Sequence, residues 1–255
     1  MVAVGLQVRR AVRADQRQIA NLMYFEPRVH RHLDWRAPLD WLGSPHYWVL
    51  EEGKDVAAAL ACPEDPAGIA WIRLFVPASR LDAAGAWSHL WEVARRELAE
   101  AGISAAAAIA LQPWFEELLA GSQFRHDQSI ILLEWDGGPQ PSVQPPQGVS
   151  LRRMQARDLP AVVEVDASAF EPLWHNSMDA IERAYPEALY ATVAEAPGGL
   201  VGYQLSTGNP RGAHLARLAV RREAQGTGVG GALVGDLIRH LAGRGRAHIT
   251  VNTQS

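Results

Sequence analysis

The stretch Leu218-Ala219-Val220-Arg221-Arg222-Glu223-Ala224-Gln225-Gly226-Thr227-Gly228-Val229-Gly230-Gly231 leads directly into Ala232-Leu233-Val234-Gly235-Asp236-Leu237-Ile238. A short apolar strand passes through a glycine-dense turn into a helix. Glycine reaches φ > 0 and leaves its N–H uncovered, and a helix N-terminus adds partial positive charge, so this order of elements makes an anion cradle. The dipole contributes only about 0.3–1 kcal/mol at an exposed site, so several N–H bonds to one phosphate must supply most of the affinity. Four glycines in positions 226–231 exceed what close packing of a helix start requires.

Two nucleotide loops fit this stretch poorly. A mononucleotide loop needs Lys-Ser/Thr after its last glycine, whereas Gly230 is followed by Gly231 and Ala232. Gly226, Gly228 and Gly231 do satisfy G-x-G-x-x-G, but five residues separate Val220 from Gly226 where a dinucleotide turn follows its strand closely. The next strand, His248-Ile249-Thr250-Val251-Asn252, has no acidic ribose ligand. An NAD-dependent oxidoreductase is the disfavoured alternative.

Working outward, the cradle lies in the second of two copies. Val8 to Asp15 matches Leu151 to Asp158 at an offset of 143, with both arginines and the aspartate identical. The same offset pairs Tyr47 with Tyr190 and Glu52 with Glu195, and an offset of 144 pairs Arg73, Leu74 and Val76 with Arg217, Leu218 and Val220. Between the copies, residues 136–148 hold four prolines and three glycines and read as an extended linker. The expected organisation is a first domain over 1–136, a linker over 137–148 and a second domain over 149–255.

Each copy begins with a strand (7–11; 150–154) and a helix capped by Asp15 or Asp158. Paired strands follow (48–51 with 56–61; 191–194 with 200–206), then a third strand (69–76; 213–220), a long amphipathic helix (84–101; 230–243) and another strand (104–110; 248–252). The first copy continues through a helix beginning at Pro113 to a final strand over 129–135. The fold class is α+β, two repeats each with a mostly antiparallel sheet flanked by helices. The second copy ends before the counterparts of that last helix and strand, so a C-terminally truncated repeat with an exposed sheet edge is expected, along which a second copy of the chain would pair as a homodimer.

Composition narrows the function. With 255 residues, 48% hydrophobic and 20% charged, the chain is globular, and a net charge of −4 provides no general field for nucleic acid or anionic membrane. Its one cysteine, Cys62, forms no internal disulfide, no Cys/His cluster has zinc spacing, and no run of apolar residues is long enough to span a membrane. A cytoplasmic protein without a metal is expected.

The pattern Gln225-x-x-Gly228-x-Gly230, with glycine also at 226 and the Leu218-Ala219-Val220 strand end upstream, resembles the acyl-CoA signature of the GCN5-related N-acetyltransferase (GNAT) family. The Thr250-Val251-Asn252 strand is also similar. The resemblance covers 150–255 well and 7–135 more faintly. It implies a tandem N-acetyltransferase that moves an acetyl group from acetyl-CoA to an amine of a small molecule or peptide. By the same resemblance Gln225, Gly226, Thr227, Gly228, Val229, Gly230 and Gly231 bind the pyrophosphate. Leu218, Ala219 and Val220 pair with the pantetheine arm, the Val220 amide polarises the thioester, and Asn252 belongs to the cofactor site.

Direct acetyl transfer needs a neutral amine, an oxyanion donor and a proton for the leaving thiolate. His214 and Glu171 are the candidate proton acceptors, and Trp174, His175 and Tyr190 are candidate lining of the acceptor pocket. The family's usual tyrosine acid has no counterpart in the second copy, and Trp114 or Phe115 stands near its place in the first. There the cradle is replaced by Arg80-Leu81-Asp82-Ala83-Ala84-Gly85-Ala86, so no acyl-CoA is expected to bind. A protein that senses acyl-CoA without turnover is the second reading. Eight of the nine tryptophans lie in the first copy and read as core packing, with a binding groove as the sharper option.

Overall fold

Alternation along Tyr47-Trp48-Val49-Leu50 sends Tyr47 and Val49 to one face of a sheet and Trp48 and Leu50 to the other, and all four are buried. Both faces must therefore be covered, and helices do this on each side. The structure is a computed structural model describing residues 5–138, 143–208, 212–245 and 248–254. Positions 139–142 of the Pro/Gly stretch lie outside the described residues. The chain divides into two compact units, residues 1–125 and 126–255.

The first unit contains β1 (Leu6–Arg10), α1 (Gln16–Phe25), β2 (His30–Arg31), β3 (Tyr47–Glu52), β4 (Asp55–Ala61), β5 (Ile69–Trp71), β6 (Leu74–Pro77), α2 (Ala83–Glu100), β7 (Ala105–Ala107) and α3 (Pro113–Ala120). Its main sheet runs β1-β3-β4-β6-β2, while β5 pairs in parallel with β7. Ile19 and Leu22 of α1 join Tyr47, Val49, Ala59, Leu74 and Val76 on one face. Trp87, Leu90, Trp91, Phe115 and Leu119 join Trp48, Leu50, Leu60 and Phe75 on the other. Trp41, Trp48, Trp71, Trp87 and Trp91 are buried, which favours core packing over a groove.

The second unit contains β8 (Ile130–Trp135), β9 (Ser150–Arg153), α4 (Leu159–Ala169), α5 (Met178–Ala184), β10 (Tyr190–Ala196), β11 (Gly199–Gly208), β12 (Gly212–Val220), α6 (Val229–Ala242) and β13 (His248–Gln254). The strand order is β8-β13-β12-β11-β10-β9. Two expectations are corrected here. The strand assigned to the end of the first repeat, β8, pairs antiparallel with β13, so it belongs to the second sheet and the Pro/Gly stretch joins the two edge strands of that sheet. The edge expected at β13 is consequently covered, and β8 itself is the edge, with Ile130, Ile131, Leu132 and Leu133 all exposed.

The duplication is visible in hydrogen bonds. Arg9 donates to both oxygens of Asp15 at 2.7 and 2.9 Å, and Arg152 to both of Asp158 at the same distances. Each aspartate also accepts a backbone N–H at 2.8 Å, from Val12 or Gln155. It thus braces the turn before the helix rather than capping helical N–H groups as expected. The arginine hydrogen bonds hold both carboxyls below their usual pKa.

The arginines reach onward to Glu51 and Glu195, and a register shift follows Leu50 and Ala194 alike. Glu195 therefore corresponds to Glu51, and the residue inserted in the second copy falls before β10. Ala11 N donates to Tyr47 O where Met154 N donates to Ala191 O, so the matches Tyr47/Tyr190 and Glu52/Glu195 are each displaced by one position.

Candidate active site

The cradle begins where β12 ends. After Val220 a 3-10 turn (Arg222–Ala224) precedes Gly226 and Gly228, whose φ values are +74° and +99°. A side chain at either glycine would meet nothing within 4 Å, so backbone conformation rather than crowding requires glycine at both. Gly228 is the N-cap of α6 and supplies no side-chain cap, leaving the first-turn N–H groups uncapped by that residue. Val229 anchors the turn in the core, Gln225 Nε2 donates to Val220 O at 3.0 Å, and Thr227 Oγ1 donates to Ala224 O at 2.7 Å. Gly230 and Gly231 occupy the first turn, a Cβ at Gly231 lying 3.4 Å from Val143 Cγ1.

A split in the sheet opens beside this turn. β12 and β13 pair in parallel only from Gly212/His248 to Leu215/Val251. Beyond that point β13 pairs with β8 alone, Asn252 lying opposite Leu132, while β12 continues along β11 to Val220. Residues 216–220, including Leu218, Ala219 and Val220, thus present a strand edge that no described strand covers. A bulge sits at the split: Leu205 pairs with Arg217 but Ser206 with Leu215, leaving Ala216 as the extra residue.

The corresponding places in the first unit are closed. Ala61 pairs with Leu74 of β6 as Leu205 pairs with Arg217 of β12, so ladder position equates Leu74 with Arg217 and displaces the sequence match of Arg73 with Arg217 by one. The edge of β6 beside Leu74 and Phe75 is taken by β2, through Arg31 and His30. The start of α2 is capped from within, Asp82 accepting the Gly85 N–H at 2.8 Å.

The candidate catalytic side chains separate. His214 lies at the crotch of the split, one residue before the last parallel pair, with Nδ1 2.8 Å from Thr250 Oγ1. Partial burial lowers its pKa, so the imidazole is neutral near pH 7. In the tautomer that donates Nδ1–H to Thr250, Nε2 keeps its lone pair for a proton. Glu171 is exposed at the loop, 3.8 Å from Arg222. Tyr190 leaves the expected acceptor pocket: it is buried against α6, its hydroxyl donating to Asp236 at 2.7 Å and its ring stacked on His240.

Tyr185 and Tyr203 are likewise engaged, with Met154 O and Asp166, so every tyrosine hydroxyl of this unit has an acceptor. Phe115 is fully buried in the first core and takes no place at a site. Cys62 is buried, and desolvation pushes its thiol pKa up to about 12, unsuited to a nucleophile. Among the described residues no helix is long and apolar enough to cross a membrane, and no group of three His, Cys, Asp or Glu side chains is placed to hold a metal.

One buried polar network joins residues that no sequence motif links. Asp166, fully buried in α4, accepts from Tyr203 Oη at 2.6 Å, Arg217 Nε at 2.7 Å, Arg217 Nη2 at 2.8 Å and Asn176 N at 2.8 Å. Burial opposes the Arg217 charge, but the Asp166 hydrogen bonds outweigh it and raise the guanidinium pKa. The available signal was a carboxylate four residues after Val162, on the apolar face of the helix.

Residues 159–255 match the profile of the acetyltransferase (GNAT) family. An uncharacterized N-acetyltransferase of Methanocaldococcus jannaschii is 35% identical over 85 residues, a match spanning 33% of this chain and about half, 53%, of that relative. Among solved structures, a GCN5-related N-acetyltransferase from Sphaerobacter thermophilus aligns with a TM-score of 0.60 at 18% identity, covering 98% of this chain and 87% of that one. A second, from Kribbella flavida, gives 0.70 at 16% identity, covering 99% and 65%. A tandem GNAT protein from the clavulanic acid biosynthesis pathway gives 0.54 at 20% identity, covering 98% and 90%. These structural likenesses establish the fold.

Proposed function

We propose, from the match of residues 159–255 to the acetyltransferase (GNAT) family profile, that the chain moves an acetyl group from acetyl-CoA directly to an amine of a small molecule or peptide. The observation that carries this proposal is the meeting of two features at one end of β12: an uncapped, glycine-led helix start and an uncovered strand edge. The first suits a pyrophosphate, through the amides of 225–231; the second suits the amide-bearing pantetheine arm, added like a strand along 218–220 with Asn252 across the split. The Val220 amide polarises the thioester carbonyl, and His214 or Glu171 takes the amine proton. In the first unit β2 takes the edge at Leu74 and Phe75, the equivalents of Arg217 and Leu218, and Asp82 caps the helix start, so no acyl-CoA is expected to bind there. The lone, buried Cys62 suits a reducing compartment, and the cytoplasm is the proposed location.

Thiol release from acetyl-CoA, measured with a panel of primary amines and free-N-terminal peptides, tests the reaction. Acetyl-CoA binding with no release for any amine would leave the second reading, acyl-CoA sensing, which is favoured by the engagement of all three tyrosine hydroxyls in this unit. The same assay assigns the base. His214 accepts a proton only when neutral and its pKa is lowered, so kcat/KM should rise with pH through a limb below about 6.5 and then level. His214→Gln should remove that limb and lower kcat/KM about 100-fold. Full activity in His214→Gln with a comparable loss in Glu171→Gln would assign the role to Glu171.

The proposed macromolecular partner is a second copy of the chain, meeting the first along β8, whose edge carries four exposed apolar side chains and no lysine or proline. Sedimentation should give a dimer that Leu132→Lys dissociates; identical behaviour of the two proteins would exclude β8 as the contact.

A further inference from the structure

The Asp166 network joins three parts of the second unit that are distant in sequence. Arg217 follows the bulged Ala216 on β12, three residues before Val220. Its Nη2 donates to Trp174 O at 2.5 Å, and its guanidinium lies 3.6 Å above the Phe170 ring centroid. Asp166 holds the same loop from the other side, through the Asn176 N–H at 2.8 Å. His175 Nε2 closes the loop on itself, 3.0 Å from Phe170 O. Segment 170–176 is thus fixed at its start and middle to Arg217, on the strand whose edge lies open beside the split, and at its end to Asp166 of α4.

We infer that Asp166 and Arg217 are positioning residues that lock segment 170–176 against the bulge of β12 as the wall receiving the acceptor amine. The inference rests on the acetyl-transfer proposal above and extends it to the acceptor side. Neither residue is among those assigned to acyl-CoA, 218–220 and 225–231, so acyl-CoA affinity and acceptor use separate when the pair is broken. Pure stability makes a different demand. A buried ion pair replaced on both sides by apolar groups of similar volume is often tolerated, whereas removal of one partner strands a buried charge.

The test uses the full chain with Asp166→Leu and Arg217→Met combined, and Tyr203→Phe as a milder change that leaves the ion pair intact. Hydrogen exchange over 170–176 is read first and needs no turnover: it should quicken at least tenfold in the double variant and about threefold in Tyr203→Phe. Calorimetry should give an acetyl-CoA dissociation constant within threefold of wild type for both. With the best amine of the panel, KM should rise and kcat/KM should fall at least tenfold in the double variant.

Unchanged exchange and unchanged acceptor kinetics would overturn the inference, as would equal losses of acetyl-CoA and acceptor binding. If the double variant does not fold, Tyr203→Phe decides by the same two readouts. A wild-type protein with protected 170–176 amides but no transfer to any amine would refute the proposed function, a result distinct from either variant outcome.

Discussion

Gly228→Asp is expected to raise the acetyl-CoA dissociation constant by at least about 100-fold, equivalent to about 2.7 kcal/mol. The first unit indicates why. There the equivalent N-cap is Asp82, whose carboxylate already accepts a first-turn N–H, so the helix start carries its own anion. An aspartate at 228 would occupy the same amides and repel a pyrophosphate, although its Cβ meets no neighbour. The φ of +99° adds strain, which Gly228→Asn shares without the charge. The asparagine variant should therefore lose about tenfold or less, and the difference between the two isolates the electrostatic part. Calorimetry should also give one site per chain in the wild type, because β2 lies on the edge of β6. Equal affinities of wild type and Gly228→Asp, or a second site surviving the substitution, would be incompatible with a single cradle.

Phe115→Ala carries the other large effect, on stability. Phe115 is fully buried beneath Phe75, Trp87 and Trp114, and His30 stacks on it at 3.8 Å with an interplanar angle of 17°. Burial pushes the His30 pKa down to about 4, so an uncharged imidazole packs there at neutral pH. Removing the ring leaves a cavity in an aromatic cluster, at a cost of about 3–5 kcal/mol to the unfolding of the first unit. Denaturant melts should register that loss while acetyl-CoA affinity at the second unit stays unchanged. A loss of affinity without a loss of stability would instead make these aromatics part of a binding groove.

The cradle was legible in the sequence because its determinants are local: glycines at positions of positive φ, a strand before them and a helix after. The repeated Arg-Arg…Asp motif was legible for a similar reason, since Arg9, Asp15 and Val12, or Arg152, Asp158 and Gln155, lie within a few residues of one another. Register was harder. Single-residue shifts at Glu51, Glu195 and Ala216 change which residues oppose each other without disturbing the apolar pattern. β2 is too short for periodicity to reveal, yet its two residues take the edge of β6 at Leu74 and Phe75. The sheet to which β8 belongs was also hidden, because Ile130-Ile131-Leu132-Leu133 is apolar at every position and indicates neither a face nor a partner. Asp166 was missed because its partners come from three other elements.

The placement of β8 bears on the order of events during synthesis. Its ladder pairs Trp135 with Ile249 and Ile130 with Gln254, so the strand leaves the ribosome well over a hundred residues before its partner exists. At about 5–20 residues per second this interval is roughly 6–25 s. Throughout it, four adjacent apolar side chains wait on a strand that the first unit does not use. The second sheet closes last, by long-range pairing, and the interval before closure is when this chain is most exposed to aggregation or to capture by a chaperone.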